Sequence, residues 1–291
     1  MTLAATGELV RRAAAGGRGI LAFNFVTVEH AEAIVAGAEA AGSPVILGLS
    51  QNAVAYHGGR ARPVTAAALV LAEEAAVEVG LHLDHVEDMD LLRQAPEAGF
   101  SSAMFDAGAL PYEDNVAATR AAVDWAHGAG LWLEAELGYV GGKPGAPASA
   151  HAAGVRTDPA EASRYVARTG VDALAVAVGS AHAMTSRSAA LDHGLIAWLR
   201  EAVPVPLVLH GSSGLPDAEL RRAVASGMVK LNVGTALGVA FTGAVRACLE
   251  RDPAVVDPRR YLAPARDAMA ETVRRLTAAL NGAAGDQGGD A

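Results

Sequence analysis

Apolar residues along this chain fall into two alternating patterns. Eight short runs are nearly continuous in Ala, Val, Leu and Ile: 19–25 (GILAFNF), 44–50 (PVILGLS), 80–85 (GLHLDH), 101–106 (SSAMFD), 131–136 (LWLEAE), 173–179 (ALAVAVG), 205–210 (VPLVLH) and 228–233 (MVKLNV). Between them lie longer alanine-rich segments with helical spacing, such as VEHAEAIVAGAEAAG, PVTAAALVLAEEAAVEVG and YEDNVAATRAAVDWAHGAG. Turn residues separate the two kinds: Gly42-Ser43-Pro44, Gly80, Gly99, Gly130, Gly170, and Pro204 with Pro206. Strands alternating with helices predict right-handed βαβ units and a parallel sheet. Runs this apolar predict strands covered on both faces. Eight units make an α/β fold of the (β/α)8 barrel type. A doubly wound open sheet is the alternative, disfavoured because no G-x-G-x-x-G turn follows the first run.

The pattern shows no domain boundary, so residues 1–281 are expected to form a single barrel domain. An extra helix, about Pro258 to Leu280, lies beyond barrel closure, where such an element often meets a neighbouring subunit. The last ten residues, 282–291 (GAAGDQGGDA), have the composition of a disordered tail. The longest segment fitting neither pattern runs over 138–157 (GYVGGKPGAPASAHAAGVRT), after the fifth run. A loop of that length in a compact domain is usually functional or mobile.

Composition narrows the function. With 23 Lys+Arg against 32 Asp+Glu the net charge is −9, which argues against nucleic-acid or anionic-membrane binding. A local cluster of donors could still hold a phosphorylated small molecule. The single cysteine, Cys248, excludes a disulfide framework and points to an intracellular, cytoplasmic protein; it reads as a small core hydrophobe. The first residues lack the order of a signal peptide, and no apolar stretch reaches transmembrane length.

In a barrel, chemistry is carried at the C-terminal ends of strands. Those ends here are polar: Asn24, Ser50, Asp84 and His85, Asp106, Glu134 and Glu136, His182, His210, and Asn232. Three histidines from three strands, His85, His182 and His210, would converge on one face and leave an open position, the pattern of a catalytic metal site. The other histidines (His30, His57, His82, His127, His151, His193) are expected to be surface or satisfied core residues. Glu134 and Glu136 share a strand face and are candidates to orient metal ligands, to bind a second cation, or to form a buried charge network. The loops HGSSG (210–214) and NVGT (232–235) each precede a helix and follow the seventh and eighth runs, where this fold usually binds phosphate.

These residues resemble the class II, zinc-dependent ketose-bisphosphate aldolases, of the tagatose- and fructose-bisphosphate type. The carriers are AFN (22–24), LHLDH (81–85), SSAMFD (101–106), LEAELGYVGG (133–142), VAVGSAH (176–182), LVLHGSSG (207–214), KLNVGT (230–235) and DPRRYL (257–262). The resemblance implies Asp84 as the proton donor and His85, His182 and His210 as ligands of one Zn2+. It implies a dihydroxyacetone phosphate site at Gly211, Ser212, Ser213, Asn232, Val233, Gly234 and Thr235, with Asn24, Ser50 and Ala183 beside it, and a second cation at Asp106 and Glu136. The implied reaction is reversible aldol cleavage of a ketose 1,6-bisphosphate in a homodimer or homotetramer. An aldolase for another phosphorylated sugar, or a non-catalytic phosphosugar-binding homologue, is the alternative.

Three departures bear on substrate. The family's acid shortly after Gly141-Gly142 is replaced by Lys143-Pro144, with no acid until Asp158. The residue after the second histidine is Ala183 instead of Gly. The segment after Asp106 reads AGAL instead of carrying a Gly-Ser pair.

Overall fold

The computed structural model describes residues 2–138 and 156–282. Its strands are β1 (Ile20–Asn24), β2 (Val45–Ser50), β3 (Val79–Val86), β4 (Ser102–Phe105), β5 (Trp132–Leu137), β6 (Ala173–Val176), β7 (Leu207–Leu209) and β8 (Met228–Val233). All pair in parallel, each with its sequence neighbours, and β8 returns to β1 to close the barrel. Each of the eight apolar runs supplies one strand. Two, β6 and β7, fall furthest short of their runs. β6 stops at Val176, and the chain then bends through Gly179, whose φ of 118° is a conformation that favours glycine. β7 stops at Leu209, with Gly211 in the left-handed region directly after His210.

The helices are α1 (Thr6–Ala15), α2 (Val28–Ala40), α3 (Gln51–Tyr56), α4 (Arg62–Glu74), α5 (Met89–Gln94), α6 (Tyr112–Gly128), α7 (Pro159–Thr169), α8 (His193–Ala202), α9 (Asp217–Ser226), α10 (Thr235–Arg251) and α11 (Arg259–Asn281). Their apolar faces and the outward side chains of the strands form the main core. The alternation of apolar runs and helical segments does not predict α1. Its Leu9 and Val10 pack with Ile20, Ile46, Trp132, Ala173 and Val208 in a separate cluster that closes the lower mouth of the barrel. Asp158 accepts a hydrogen bond from the Glu161 N–H and so caps α7; it does not stand in for the missing loop acid.

The extra C-terminal helix spends its apolar face within its own chain. Ala265, Met269, Val273, Leu276 and Leu280 of α11 are buried, and it packs on α2, α9 and α10. Gly37 permits the closest approach: a Cβ there would lie 2.4 Å from the Ala270 carbonyl oxygen. Among the described residues no helix is long and apolar enough to cross a membrane. Residues 139–155, which hold Lys143, Pro144 and His151, and the 283–291 part of the expected tail lie outside the described residues.

The barrel interior is graded. Apolar side chains fill its lower end. Above them lie His82, Glu134 and Lys230, all buried, and then Asp84, His210 and Asn232. An inward-facing polar residue is stable there only if it has partners, and those partners define the site.

Candidate metal centre

His85, His182 and His210 come together at the upper end of the barrel. One nitrogen from each lies within 4.8 Å of the others. Ring centroids are 4.7 Å apart for His85 and His210, 5.1 Å for His85 and His182, and 5.7 Å for His182 and His210. His210 directly follows β7. His182 lies in the loop after β6, six residues beyond the last strand position.

His85 reaches the site by a device the sequence did not announce. Side chains at successive strand positions point to opposite faces, so Asp84 and His85 should diverge. Instead the register between β3 and β4 shifts between Leu83 and Val86, and His85 has φ 51°. A bulge of this kind re-aims a side chain, and a non-glycine residue in the left-handed region is strain of the sort that gathers at functional sites.

Two carboxylates set the outer nitrogens of these rings. His85 Nδ1 lies 2.9 Å from Asp106 Oδ2, while Asp106 Oδ1 accepts from the Gly108 N–H at 3.1 Å. His210 Nε2 lies 2.9 Å from Glu134 Oε1. Ionised carboxylates only accept, so each of these ring nitrogens carries the proton. With that one proton on each ring, the lone pairs sit on His85 Nε2 and His210 Nδ1, which face each other at 3.0 Å. Two facing lone pairs repel unless a cation lies between them. This donor set fits Zn2+: three imidazoles with one nitrogen of each within 4.8 Å of the others, at least two of them oriented by carboxylates.

Beneath the histidines runs a buried network. Lys230 Nζ donates to Glu134 Oε2 at 2.7 Å and lies 3.4 Å from His82 Nε2, while His82 Nδ1 lies 2.8 Å from Ser102 Oγ. Burial, then the Lys230 ammonium, pushes the His82 pKa down to about 3, so its ring is neutral. Burial alone would raise the Glu134 carboxyl; Lys230, His210 and His82 outweigh it and hold it at about 2. Glu134 thus lies behind a candidate ligand and belongs to a buried charge network, with both oxygens engaged by His210 and Lys230.

Asp84 is also buried. Its Oδ2 accepts from Asn24 Nδ2 at 2.8 Å and its Oδ1 from Asn232 Nδ2 at 3.4 Å. Burial again opposes ionisation, but His85, His210, His82 and Lys230 outweigh it and hold the carboxyl below the usual range.

A cavity of about 130 Å3 opens beside these groups. It is lined by Asn24, Ser50, Asp84, His85, His182, Ala183, His210, Gly211, Ser213, Asn232, Gly234 and Thr235, so most of the expected site residues meet in one place. Ser212, Val233, Asp106 and Glu136 are not among its lining residues. The Ser212 hydroxyl turns to the Leu209 carbonyl, and the Val233 side chain lies in the core. Asp106 stands behind His85. The Ser50 hydroxyl caps α3 at the Ala53 N–H. Ser213 Oγ accepts from the N–H groups of Gly234 and Ala236, joining the loop after β7 to the start of α10. Gly211 is obligatory: with φ 72°, a Cβ there would lie 2.5 Å from the Ala181 carbonyl oxygen. Ala183 has φ 58°, a strained conformation for a residue with a side chain.

The profile of the family described as fructose-bisphosphate aldolase class-II matches residues 4–285. The chain belongs to this family. It is therefore a class II aldolase, a carbon–carbon lyase, of a family that is generally zinc-dependent. It is 39% identical over 274 residues to a fructose-bisphosphate aldolase of Geobacillus stearothermophilus, covering 94% of this chain and 95% of the relative. It is 38% identical over 290 residues to a fructose-bisphosphate aldolase of Thermus caldophilus, covering 92% and 94%. Its fold is similar to the crystal structure of the YdjI aldolase from Escherichia coli K12, with TM-score 0.82, 30% identity and coverage of 96% and 97%. The positive φ at Ala183 gives physical content to its departure from the aldolase pattern, because glycine would hold this turn without strain. Sequence reasoning placed Lys230 only as a residue short of the strand end. The available signal was a lysine inside an apolar run, which a barrel interior tolerates only when paired.

Proposed function

We propose that this protein is a zinc-dependent aldolase that reversibly cleaves a ketose 1,6-bisphosphate to dihydroxyacetone phosphate and glyceraldehyde 3-phosphate. The observation that carries this reading is the convergence of His85, His182 and His210 beside the buried, ionised carboxylate of Asp84, in a cavity that also touches Gly211, Ser213, Gly234 and Thr235. The family and the two curated relatives support fructose 1,6-bisphosphate over its tagatose isomer.

His85, His182 and His210 would hold the Zn2+, which would supply Lewis acidity toward the substrate's carbonyl and hydroxyl oxygens. Asp84 moves the hydroxyl proton of the reaction. In cleavage its carboxylate takes the proton of the C4 hydroxyl as the C3–C4 bond breaks, and the carbanion left at C3 takes a proton from water; in condensation water removes that C–H proton and Asp84 returns its own to the aldehyde oxygen. Asn24 and Asn232 keep the carboxylate aimed. Backbone N–H groups around Gly211, Ser212, Ser213, Val233 and Thr235 hold a substrate phosphate at the start of α10, where the helix dipole favours an anion, while the Gly234 N–H braces the Ser213 hydroxyl beside it. Asp106 and Glu136 are the candidate pair for a second cation, which would compete with His85 for Asp106 Oδ2.

A shifted phosphosugar substrate is the second reading, favoured by the strained Ala183 in the cavity wall. We place the enzyme in cytoplasmic sugar metabolism of the glycolytic type, consistent with its single cysteine. As a homodimer or homotetramer it would have Val239 and Leu249 of α10, both exposed, available to a second copy.

The test is cleavage of fructose 1,6-bisphosphate and tagatose 1,6-bisphosphate by metal-replete protein, with a chelator-treated control. Chelator-sensitive release of dihydroxyacetone phosphate supports the proposal, and the ratio of rates names the substrate. No release from either sugar with zinc bound would refute it in favour of another substrate or a non-catalytic role.

A further inference from the structure

Lys230 and Glu134 form an ion pair with both side chains fully buried in the barrel. Stability does not explain such a pair. Removing two charges from water costs about as much as their attraction returns, and apolar residues of similar volume often serve as well or better. The lower end of this same barrel is filled that way, by Ile20, Ile46, Trp132, Ala173 and Val208. The geometry points elsewhere. Glu134 uses one oxygen for Lys230, at 2.7 Å, and the other for His210 Nε2, at 2.9 Å. Lys230 is anchored in turn beside His82, whose ring is fixed by Ser102 at 2.8 Å. The chain Ser102, His82, Lys230, Glu134, His210 thus spans four strands and the residue directly after β7, and ends on a ring whose Nδ1 faces His85 at 3.0 Å.

We infer that Lys230 is a positioning residue of the metal centre. By clamping one oxygen of Glu134 it fixes the other as an acceptor for His210 Nε2–H, and so keeps Nδ1 of His210 free of a proton and turned toward the metal position. The inference rests on the zinc-site reading above. Lys230 neither lines the cavity nor reaches the substrate. Without it, Glu134 loses the partner that holds its rotamer, and His210 loses a fixed acceptor.

The experiment compares wild type, Lys230→Met and the double variant Lys230→Met/Glu134→Gln. Zinc affinity is read by competition with a chromophoric chelator, and the cobalt(II)-substituted proteins are examined by visible absorption, which reports the geometry of the ligand nitrogens. Neither readout needs turnover. Lys230→Met is expected to bind zinc roughly 10–100-fold more weakly, the usual effect of losing a partner behind a ligand, and to show shifted cobalt bands. Should the single variant fail to fold, the double variant decides: it removes both charges together, and its amide can present NH2 to His210 as readily as oxygen. It too is expected to bind zinc more weakly and show shifted bands. Wild-type zinc affinity and unchanged cobalt bands in a folded variant would overturn the inference, even if thermal stability has dropped. Failure of the wild type itself to bind zinc would instead defeat the metal-site reading on which this rests.

Discussion

Replacing Asp106 by Asn isolates what a single carboxylate oxygen does for His85. Asp106 accepts twice, from His85 Nδ1 at 2.9 Å and from the Gly108 N–H at 3.1 Å. Asparagine has nearly the same shape but only one acceptor oxygen. If that oxygen keeps Gly108, the NH2 group faces His85 Nδ1, which must give up its proton. The proton then moves to Nε2, the nitrogen that faces His210, and the ring can no longer donate a lone pair to a metal. If the oxygen keeps His85, the amide meets the Gly108 N–H and the loop after β4 is strained. Either course costs one hydrogen bond to a charged group, about 1.5–3 kcal/mol. Losing a carboxylate behind a metal-bound histidine costs typically about 10–100-fold in metal affinity, which is about 1.4–2.7 kcal/mol. The two routes to the magnitude agree. The assay is zinc competition against a chromophoric chelator at fixed pH, with circular dichroism to confirm the fold. Unchanged zinc affinity in folded Asp106→Asn would refute the reasoning. Loss of one equivalent of bound cation with the tight site intact would instead mark Asp106 as a ligand of a second cation.

Asp84→Ala is expected to abolish carbon–carbon cleavage while zinc content stays at the wild-type level; loss of both would make Asp84 structural. Gly211→Ala forces a side chain into the left-handed region and against the Ala181 carbonyl. The backbone cost is about 1–2 kcal/mol, so Tm should fall by a few degrees, roughly 2–8 °C, and KM should rise; an unchanged Tm and KM would show that the loop relaxes freely. Asp217 accepts from Arg187 and Arg275. Although partial burial opposes it, these arginines lower its pKa in the folded state. Its stabilisation is therefore complete above the unfolded value, about 3.9, and is lost as pH falls toward and through the lower folded value. Urea midpoints measured from pH 5 to pH 2.5 should fall less steeply in Asp217→Asn than in wild type, and parallel curves would count against the pair. Lys143→Ala is expected to raise KM more than it lowers kcat if Lys143 contacts a substrate phosphate or carboxylate; equal losses in kcat and kcat/KM would exclude that role.

Sequence alone determined the barrel and its polar rim. Eight apolar runs separated by helical segments have few other ways to bury both faces of a parallel sheet, and the strand-end rule then put His85, His182, His210, Asp84 and Asn232 at one end. That inference needs only periodicity and order, which are local properties of the chain. What the sequence could not decide is which atoms meet. Strict alternation would have sent Asp84 and His85 to opposite faces, and only the shifted register and positive φ at His85 bring both to the site. Lys230 lies 96 residues from Glu134, and His210 lies 125 from His85. Partnerships of that kind depend on closure of the barrel, which sets register across strands, and no pattern within one strand encodes them. The same holds for α1, whose Leu9 and Val10 read as an unremarkable start of the chain until the open lower mouth of the barrel supplies the apolar surface they cover.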